Sequence, residues 1–527
     1  MLDRAIAISD ILRTASRAMP QRTAIVDEAG SLSYFEFDAD VDRFSRALSK
    51  NGIGARDRVA YLLWNQRELL ISYFAIVRLG ALTVSLNFRL TPEELSYQLV
   101  AAECKAIIVD KDLAELASKA ISISKLSMLQ IVAGADAQPR QLAFADALRG
   151  AAEDVVNVPP VSADDDSGIW FTSGTTGRPK GAVVKHRSAV AAATLCAIQF
   201  DFPDEVRALA VAPLFHRAAV ENIALPVIMR GGTNFLFKKL NPAQTLQYLE
   251  KYRINAAFIV PTMAWQLLQE PSAEGKSLPH LTHWLSASAP LPPVLAERIQ
   301  QQFKLPKGVT NAYGITEMLL VTACSPAMLT KKPGTAGLPA PNTQIIIHDE
   351  VRGILPNGEI GEILVSGPTA FSHYLNNEQA TREAIVNLNG TAWYRSGDLG
   401  FIDADGYLEI KDRKKDMIIS GGENVYCAEV ELALIQHPLV YEVAVVGVPD
   451  EKWGEIVVAA IVKATDALVD LDEIAKSCSS LASYKRPREV ICLETLPRNT
   501  FGKVRKDLVR AMVRERLELS RRTLRAS

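Results

Sequence analysis

Cysteine is scarce and carries no pattern. The six in this 527-residue chain, Cys104, Cys196, Cys324, Cys427, Cys478 and Cys492, are scattered and form no CxxC pair. They indicate neither a zinc site nor a disulfide framework, and residues of this type are often simply buried. Long apolar runs are missing too. No stretch of about 18 apolar residues occurs, so no membrane-spanning helix is expected. The opening MLDRAIAISDILRTASRAMP lacks a basic region followed by a long apolar one, so no signal peptide is expected. A reduced cytoplasmic setting is the default. An excess of one charge is also lacking. Lys and Arg number 58 against 60 Asp and Glu, a net charge of −2 that argues against a dedicated nucleic-acid binder. The basic residues near the C-terminus, from Arg505 to Arg525, alternate with Leu508, Val509, Met512, Val513 and Leu517 at the spacing of an amphipathic helix.

What is present is a soluble globular composition, 48% hydrophobic and 22% charged, in a chain long enough for two to four domains. Ser9–Ala18 reads as a helix capped by Ser9. Strands are expected at Thr23–Asp27, Leu32–Phe37, Val59–Leu63, Ala81–Leu86 and Ala106–Val109, with helices at Asp38–Lys50 and Leu69–Leu79. This alternation signals α/β layering with parallel sheets. From Gly334 glycine and proline become dense and the strands shorten, as in a small all-β region. Five charged residues, Asp412 to Asp416, then separate two apolar stretches, and the remainder has its own helix–strand–strand–helix pattern. The expected fold is α/β. A large N-terminal domain (1–411) of layered α/β sheets plus a small β region is joined by a linker (412–415) to a smaller, mobile α+β C-terminal domain (416–527).

The chain is organised around FTSGTTGRPKGAVVK, Phe171 to Lys185. Thr172, Ser173, Thr175 and Thr176 are interleaved with Gly174 and Gly177, and Lys180 follows. Between two apolar stretches this reads as a loop joining buried strands. Glycines let backbone N–H groups turn toward an anion, hydroxyls add donors, and Lys180 adds a point charge. The ligand that suits this is a polyphosphate. The loop is not a Walker A sequence, because Pro179 stands where that motif needs glycine and no Gly-Lys-Ser/Thr follows.

Four further stretches accompany it. In AYGITEM (Ala312–Met318) Tyr313 beside Gly314 can lie flat on a purine, Thr316 offers a hydroxyl, and Glu317 offers a hard carboxylate for magnesium. In YRSGDLG (Tyr394–Gly400) Asp398 can accept both ribose hydroxyls. The third is DRKKDMIISGGENVYCAEVE (Asp412–Glu431), and the fourth is PRNTFGKVRK (Pro497–Lys506), where Lys503 follows a glycine. In this order and spacing the five stretches resemble the adenylate-forming superfamily of acyl-CoA synthetases, peptide-synthetase adenylation domains and luciferases, closest to the acyl- or aryl-CoA ligases. The resemblance covers nearly the whole chain.

The resemblance implies a two-step reaction. A carboxylate attacks the α-phosphate of MgATP to give acyl-AMP and pyrophosphate, and a thiol, usually coenzyme A, then displaces AMP. Carried over by motif, Thr172 to Lys180 hold the outer phosphates, and Ser288, Ala289, Pro290, Asn311, Ala312, Tyr313 and Gly314 surround the nucleotide. Thr316 touches the α-phosphate, Glu317 binds Mg2+, Asp398 and Arg413 hold the ribose, and Lys503 bridges carboxylate and α-phosphate. Lys415 is the hinge about which the C-terminal domain swings between half-reactions, and Ser420, Gly421, Gly422 and Glu423 face coenzyme A. His216 resembles the residue between acid and thiol tunnel. Ala218, Val260, Gly314 and Leu319 suggest a mostly apolar acid pocket, for an aryl, alicyclic or medium-chain acid. Arg217 is unexpected there; it either reaches a polar group on the substrate, or it points to solvent or pairs with Glu221 four residues on. The acceptor alternative is a carrier-protein phosphopantetheine. A non-catalytic nucleotide-binding module would be expected to lose Lys503, Glu317 or Asp398, and all three are present. The partners implied are the acid, ATP and coenzyme A, with no nucleic acid; a homodimer is left open.

Overall fold

In the computed structural model the described residues are 6–134, 141–150, 160–172, 179–464, 471–479, 481–498 and 504–526. They fall into two compact units, one comprising residues up to 345 with 365–394, the other 346–364 with 395 onward.

The first unit holds two large sheets. Among the described residues one has nine strands, in the order Leu338–Pro339, Leu319–Cys324, Val309–Ile315, His283–Ser286, Ala256–Phe258, Arg207–Leu209, Thr233–Phe235, Thr23–Asp27 and Gly30–Ser33. Its central pairs are parallel, and antiparallel strands close both edges. The other has eight, in the order His373–Tyr374, Lys180–Lys185, Asp166–Thr172, Leu82–Ser85, Arg58–Leu62, Ala106–Asp110, Leu129–Ala133 and Gln141–Ala143. The helices Ile8–Ala18, Tyr34–Lys50, Arg67–Arg78 and His186–Gln199 share one core with side chains of both sheets, including Tyr61, Ala208 and Trp170. This is the layered α/β arrangement expected from the alternation of elements. Arg67–Arg78 is apolar nearly all round and nearly all buried, and its one interior charge, Arg78, is neutralised by Asp38 and Asp42.

Two local expectations are corrected. The strand expected at Leu32–Phe37 ends at Ser33, and the helix starts at Tyr34. Ser33 caps the Glu36 N–H while the Glu36 carboxylate accepts from the Ser33 N–H, and this reciprocal pair outweighs the β-propensity of Tyr34, Phe35 and Phe37. The first helix begins at Ile8 rather than after a Ser9 cap; Asp10 accepts from the Ala7 N–H, and Ser9 is buried.

The second unit contains the short antiparallel strands Gln344–Asp349, Gly353–Ile354, Gly361–Ser366, Thr391–Ile402 and Leu408–Arg413, some of which continue into the first. Its C-terminal part is a sheet built on Val440–Asp450 and Gly454–Lys463, with Ile418–Ser420, Glu423–Val425 and Glu489–Cys492. Alternating residues pack on its two faces. Val445, Val457 and Ile461 meet Val430 and Leu434 of the Cys427–Leu434 helix, while Val446, Val458 and Ala460 meet Val509 and Val513 of Lys506–Ala526, the expected amphipathic helix.

Candidate active site

The parallel strands Arg207–Leu209, Ala256–Phe258, His283–Ser286 and Val309–Ile315 lie side by side in register. The segments singled out in the sequence follow their carboxyl ends: His216, Val260, the Ser288–Pro290 turn, and Asn311 to Glu317. In α/β sheets that edge is where ligands bind. Ser286 pairs with Asn311, which places the Ser288–Pro290 turn beside the Asn311–Gly314 strand segment. Ser288 itself adopts φ 73°. Asn65, after the strand Arg58–Leu62, and Ser85, at the end of Leu82–Ser85, brace the path to His216. The Asn65 amide donates to the Ala210 and Ala212 carbonyls and accepts from Leu214 N–H at 2.8 Å. The Ser85 hydroxyl donates to the Phe215 carbonyl at 2.8 Å. The His216 ring lies 4.3 Å from that of Phe215, which meets Phe88 at 4.9 Å.

The glycine- and hydroxyl-rich loop leaves the strand Asp166–Thr172 and returns into Lys180–Lys185, the antiparallel neighbour, with Thr172 opposite Lys180. The ends of the loop are thus tied across one ladder, as the flanking apolar residues suggested. Ser173, Gly174, Thr175, Thr176, Gly177 and Arg178 lie outside the described residues. The next strand, His373–Tyr374, pairs with Lys180–Lys185 and places the Tyr374 ring 5.1 Å beneath the Lys180 ammonium. The Tyr374 hydroxyl donates to Glu317 Oε1 at 2.6 Å. Burial, and then the nearby Glu317 charge, push the Tyr374 phenol well above its ordinary pKa. The loop's cation and the Glu317 carboxylate therefore converge on one aromatic ring.

Glu317 is buried, not the solvated helix charge it could have been. It sits in the turn between Val309–Ile315 and Leu319–Cys324. Three successive carbonyls of this turn accept hydrogen bonds: Thr316 from Arg217 Nη1 at 2.6 Å, Glu317 from the Phe371 N–H at 2.6 Å, and Met318 from the Thr369 hydroxyl. Leu319 has φ 54°, a conformation bulky residues rarely adopt, and a Cβ on Gly314 would lie 1.9 Å from the Leu319 carbonyl oxygen. Glycine is therefore required in AYGITEM to let the hairpin close. Among the described residues no group of three or more His, Cys, Asp and Glu could cage a metal. A lone carboxylate beside a phosphate loop still fits Mg2+, which binds through one or two carboxylates plus substrate phosphates and water.

Arg217 does not project as a spare cation. Its Nε donates to Glu221 Oε2 at 2.9 Å, and both side chains are only 1% exposed. Of the two readings of this residue, the geometry is that of the Glu221 pair. Ala218 is half-buried and Leu319 buried among apolar neighbours.

In the second unit Asp398 and Arg413 stand opposite each other on adjacent strands, with Arg413 Nε 2.6 Å from Asp398 Oδ1. The two residues matched to the ribose are thus brought together. Beside Lys415, Lys414 pairs with Glu350 at 2.9 Å and Glu362 at 3.2 Å. Ser420 and Glu423 face each other across a hairpin whose tip is Gly421 and Gly422, at φ 62° and 86°. A Cβ on Gly421 would press on the Trp453 ring. Lys503 lies outside the described residues.

Sequence reading missed Tyr374, Thr369, Asn65 and Ser85. Each acts through a partner distant in the chain, and none stands in a run of glycines or charges. Glu221 was reachable, because its i,i+4 spacing to Arg217 was visible.

The family model described as AMP-binding enzyme matches residues 12–375, and that described as AMP-binding enzyme C-terminal domain matches residues 429–503. A feruloyl-CoA synthase of an Amycolatopsis species is 36% identical over 503 residues, 94% of this chain and 96% of that protein. An indoleacetate–CoA ligase of Aromatoleum aromaticum is 35% identical over 500 residues, again 94% and 96%. The solved structure of the anthranilate CoA ligase AuaEII in complex with anthranoyl-AMP aligns with a TM-score of 0.90 at 26% identity, covering 98% of this chain and 99% of that one.

Proposed function

The chain belongs to the AMP-binding enzyme family, and from that premise we propose that it activates an apolar carboxylic acid, aryl, alicyclic or medium-chain, and passes the acyl group to coenzyme A. It is an AMP-forming acid–thiol ligase, and ATP and coenzyme A are substrates of that family. The observation that carries the chemistry is the convergence of Lys180 and Glu317 on Tyr374 at the end of the phosphate loop.

A carboxylate is a poor acyl donor because its leaving group would be oxide; adenylation exchanges that for AMP. The first step brings two anions together, so cations must be concentrated where they meet. In this reading Lys180 and the loop hold the outer phosphates. Tyr313 stacks on adenine, Thr316 donates to the α-phosphate, and Asp398 with Arg413 holds the ribose. Glu317 together with the phosphates would hold Mg2+, which would supply charge neutralisation. Lys503 comes between carboxylate and α-phosphate. The C-terminal domain, from 416 on, then turns about Lys415 and presents Ser420 to Glu423 to the thiol, with His216 between acid and thiol.

The acid's apolar character is supported by Ala218, Val260, Gly314 and Leu319, and by relatives named for feruloyl, indoleacetate and anthranilate groups. Arg217 is committed to Glu221 and two carbonyls, so it is not spare for a second carboxylate. The cysteines described are free, as suits a reducing cytoplasm. The test is a panel of aryl, alicyclic, medium- and long-chain acids with MgATP, read by mass spectrometry with and without coenzyme A. The expected product is an aryl, alicyclic or medium-chain acyl-CoA. Acyl-AMP that accumulates and ignores coenzyme A would replace the acceptor with a carrier protein.

A further inference from the structure

The Arg217–Glu221 pair is left without a role by the reaction as described. It lies in a helical segment that starts at Arg217 and widens to a π turn over Val220–Ala224, an irregularity frequent at functional sites. The pair reaches three other parts of the site. Arg217 Nη1 donates to the Thr316 carbonyl at 2.6 Å, and Nη2 to the Thr369 carbonyl at 3.2 Å. Trp170, two residues before Thr172 at the entry to the glycine-rich loop, also favours the charged form of the Glu221 carboxylate. A line of bonds thus runs from Glu221 through Arg217 to the turn that bears Glu317 and to the segment beside it.

That turn needs external support. Leu319 is held at φ 54°, and Gly314 packs against the Leu319 carbonyl. Strained backbone persists where the surroundings over-determine it. The carbonyls of Thr316, Glu317 and Met318 are each held by Arg217 or by the 369–371 segment, and Arg217 also ties down that segment through the Thr369 carbonyl. Removing Arg217 releases the first carbonyl and one end of the support for the third. Glu317 is the residue between them, so the direction of its carboxylate depends on this clamp.

We propose that Arg217 and Glu221 form a positioning pair that fixes the Thr316–Glu317 turn for metal-bound ATP and couples it to the acid-side helix. The proposal rests on the adenylate-forming reading. A packing role alone would make the pair matter for stability and not for magnesium.

The test is calorimetric titration of ATP into the full-length protein over a range of Mg2+ concentrations, with no acid present. The proteins compared are the wild type, Arg217→Met, Arg217→Lys and the double variant Arg217→Met/Glu221→Met. The double variant leaves no unpaired buried charge, so it separates folding from positioning. In both Met variants the Mg2+ needed for half-maximal tightening should rise about tenfold or more, the usual effect of losing an outer partner of a metal ligand. ATP affinity without Mg2+ should change less than the Mg2+ requirement does. Arg217→Lys, which can still reach one carbonyl, should fall between. A folded double variant with the wild-type Mg2+ requirement would overturn the proposal. A wild type that binds no ATP would instead overturn the adenylate-forming reading, and that failure is seen before any variant is compared.

Discussion

Two clusters of ion pairs, one in each unit, are built from the same residue types and differ in their access to water. In the first unit the Arg217 and Glu221 side chains are each 1% exposed, and Arg217 also donates to the Thr316 and Thr369 carbonyls. In the second, Lys414, 46% exposed, and Arg395 share Glu350, which is 63% exposed, and Glu362, which is 6% exposed, so the cluster is open to water on one side only. A buried pair is costly to break, because one uncompensated charge remains inside; an exposed cluster exchanges its partners for water at little cost. The first suits a part that must hold still, the second a neighbour of the proposed hinge. The largest effect expected from this contrast is on Arg217→Met, which leaves Glu221 buried and unpaired. Burial already raises the Glu221 pKa against the opposing Arg217 charge. Stability should fall by about 3–5 kcal/mol, and Arg217→Met/Glu221→Met should regain most of it. Urea unfolding of the three proteins checks this.

Next is the residue that joins the two regions in the proposed reaction. Lys503→Ala should lower adenylation, read by pyrophosphate exchange, on the order of 10²–10³-fold, the usual loss of one charge-stabilising donor. Thioester formation from preformed acyl-AMP should be largely spared. Equal loss in both half-reactions would break the contrast between a fixed site and a moving one, since it would make Lys503 a structural residue.

Burial also separates the two units in their response to acid. His186 is fully buried and accepts from the Ile8 N–H through Nδ1. Burial, opposed by Asp165, pushes its pKa down to about 4 from 6.5. The unfolded chain therefore takes up this proton first, and the stability present above about pH 6.5 is lost as pH falls toward 4, up to about 3 kcal/mol. Glu350 behaves differently: hydrogen bonds from Lys414 and then Arg395 hold it at about 2, so its contribution persists until pH falls below about 4.5. Unfolding midpoints between pH 7 and 5 should thus report His186, and His186→Gln should flatten that limb.

The legible part of this molecule was what short-range chemistry dictates. Glycines and hydroxyls marked the loop between Asp166–Thr172 and Lys180–Lys185, and strand–helix alternation marked the sheets. Asp398 and Arg413 were assigned to one ribose from separate motifs, and they lie opposite each other on paired strands. What stayed hidden depends on pairings far apart in the chain. Tyr374 meets Glu317 across 57 residues, and Arg217 meets Thr369 across 152. Neither residue type marks such a role by itself. Even the helix start at Tyr34 turned on a side chain, Glu36, that sits within a run of aromatic residues favouring a strand.

The smallest expected effect lies at Lys414, and it tests the contrast from its weak side. Lys414 is bonded to Glu350 and Glu362, and it immediately precedes the residue proposed as the hinge. If rotation at Lys415 strains or breaks these bonds, their strength sets part of the barrier between half-reactions. Exposed pairs contribute little and are screened by salt. Lys414→Ala should therefore leave adenylation unchanged and alter the rate of the thiol step by no more than about fivefold. High salt should shift the wild type in the same direction and leave the variant nearly insensitive. A large loss in both half-reactions would mean that the cluster holds the site as rigidly as Arg217 does, and exposure would no longer separate the fixed part of the molecule from the moving one.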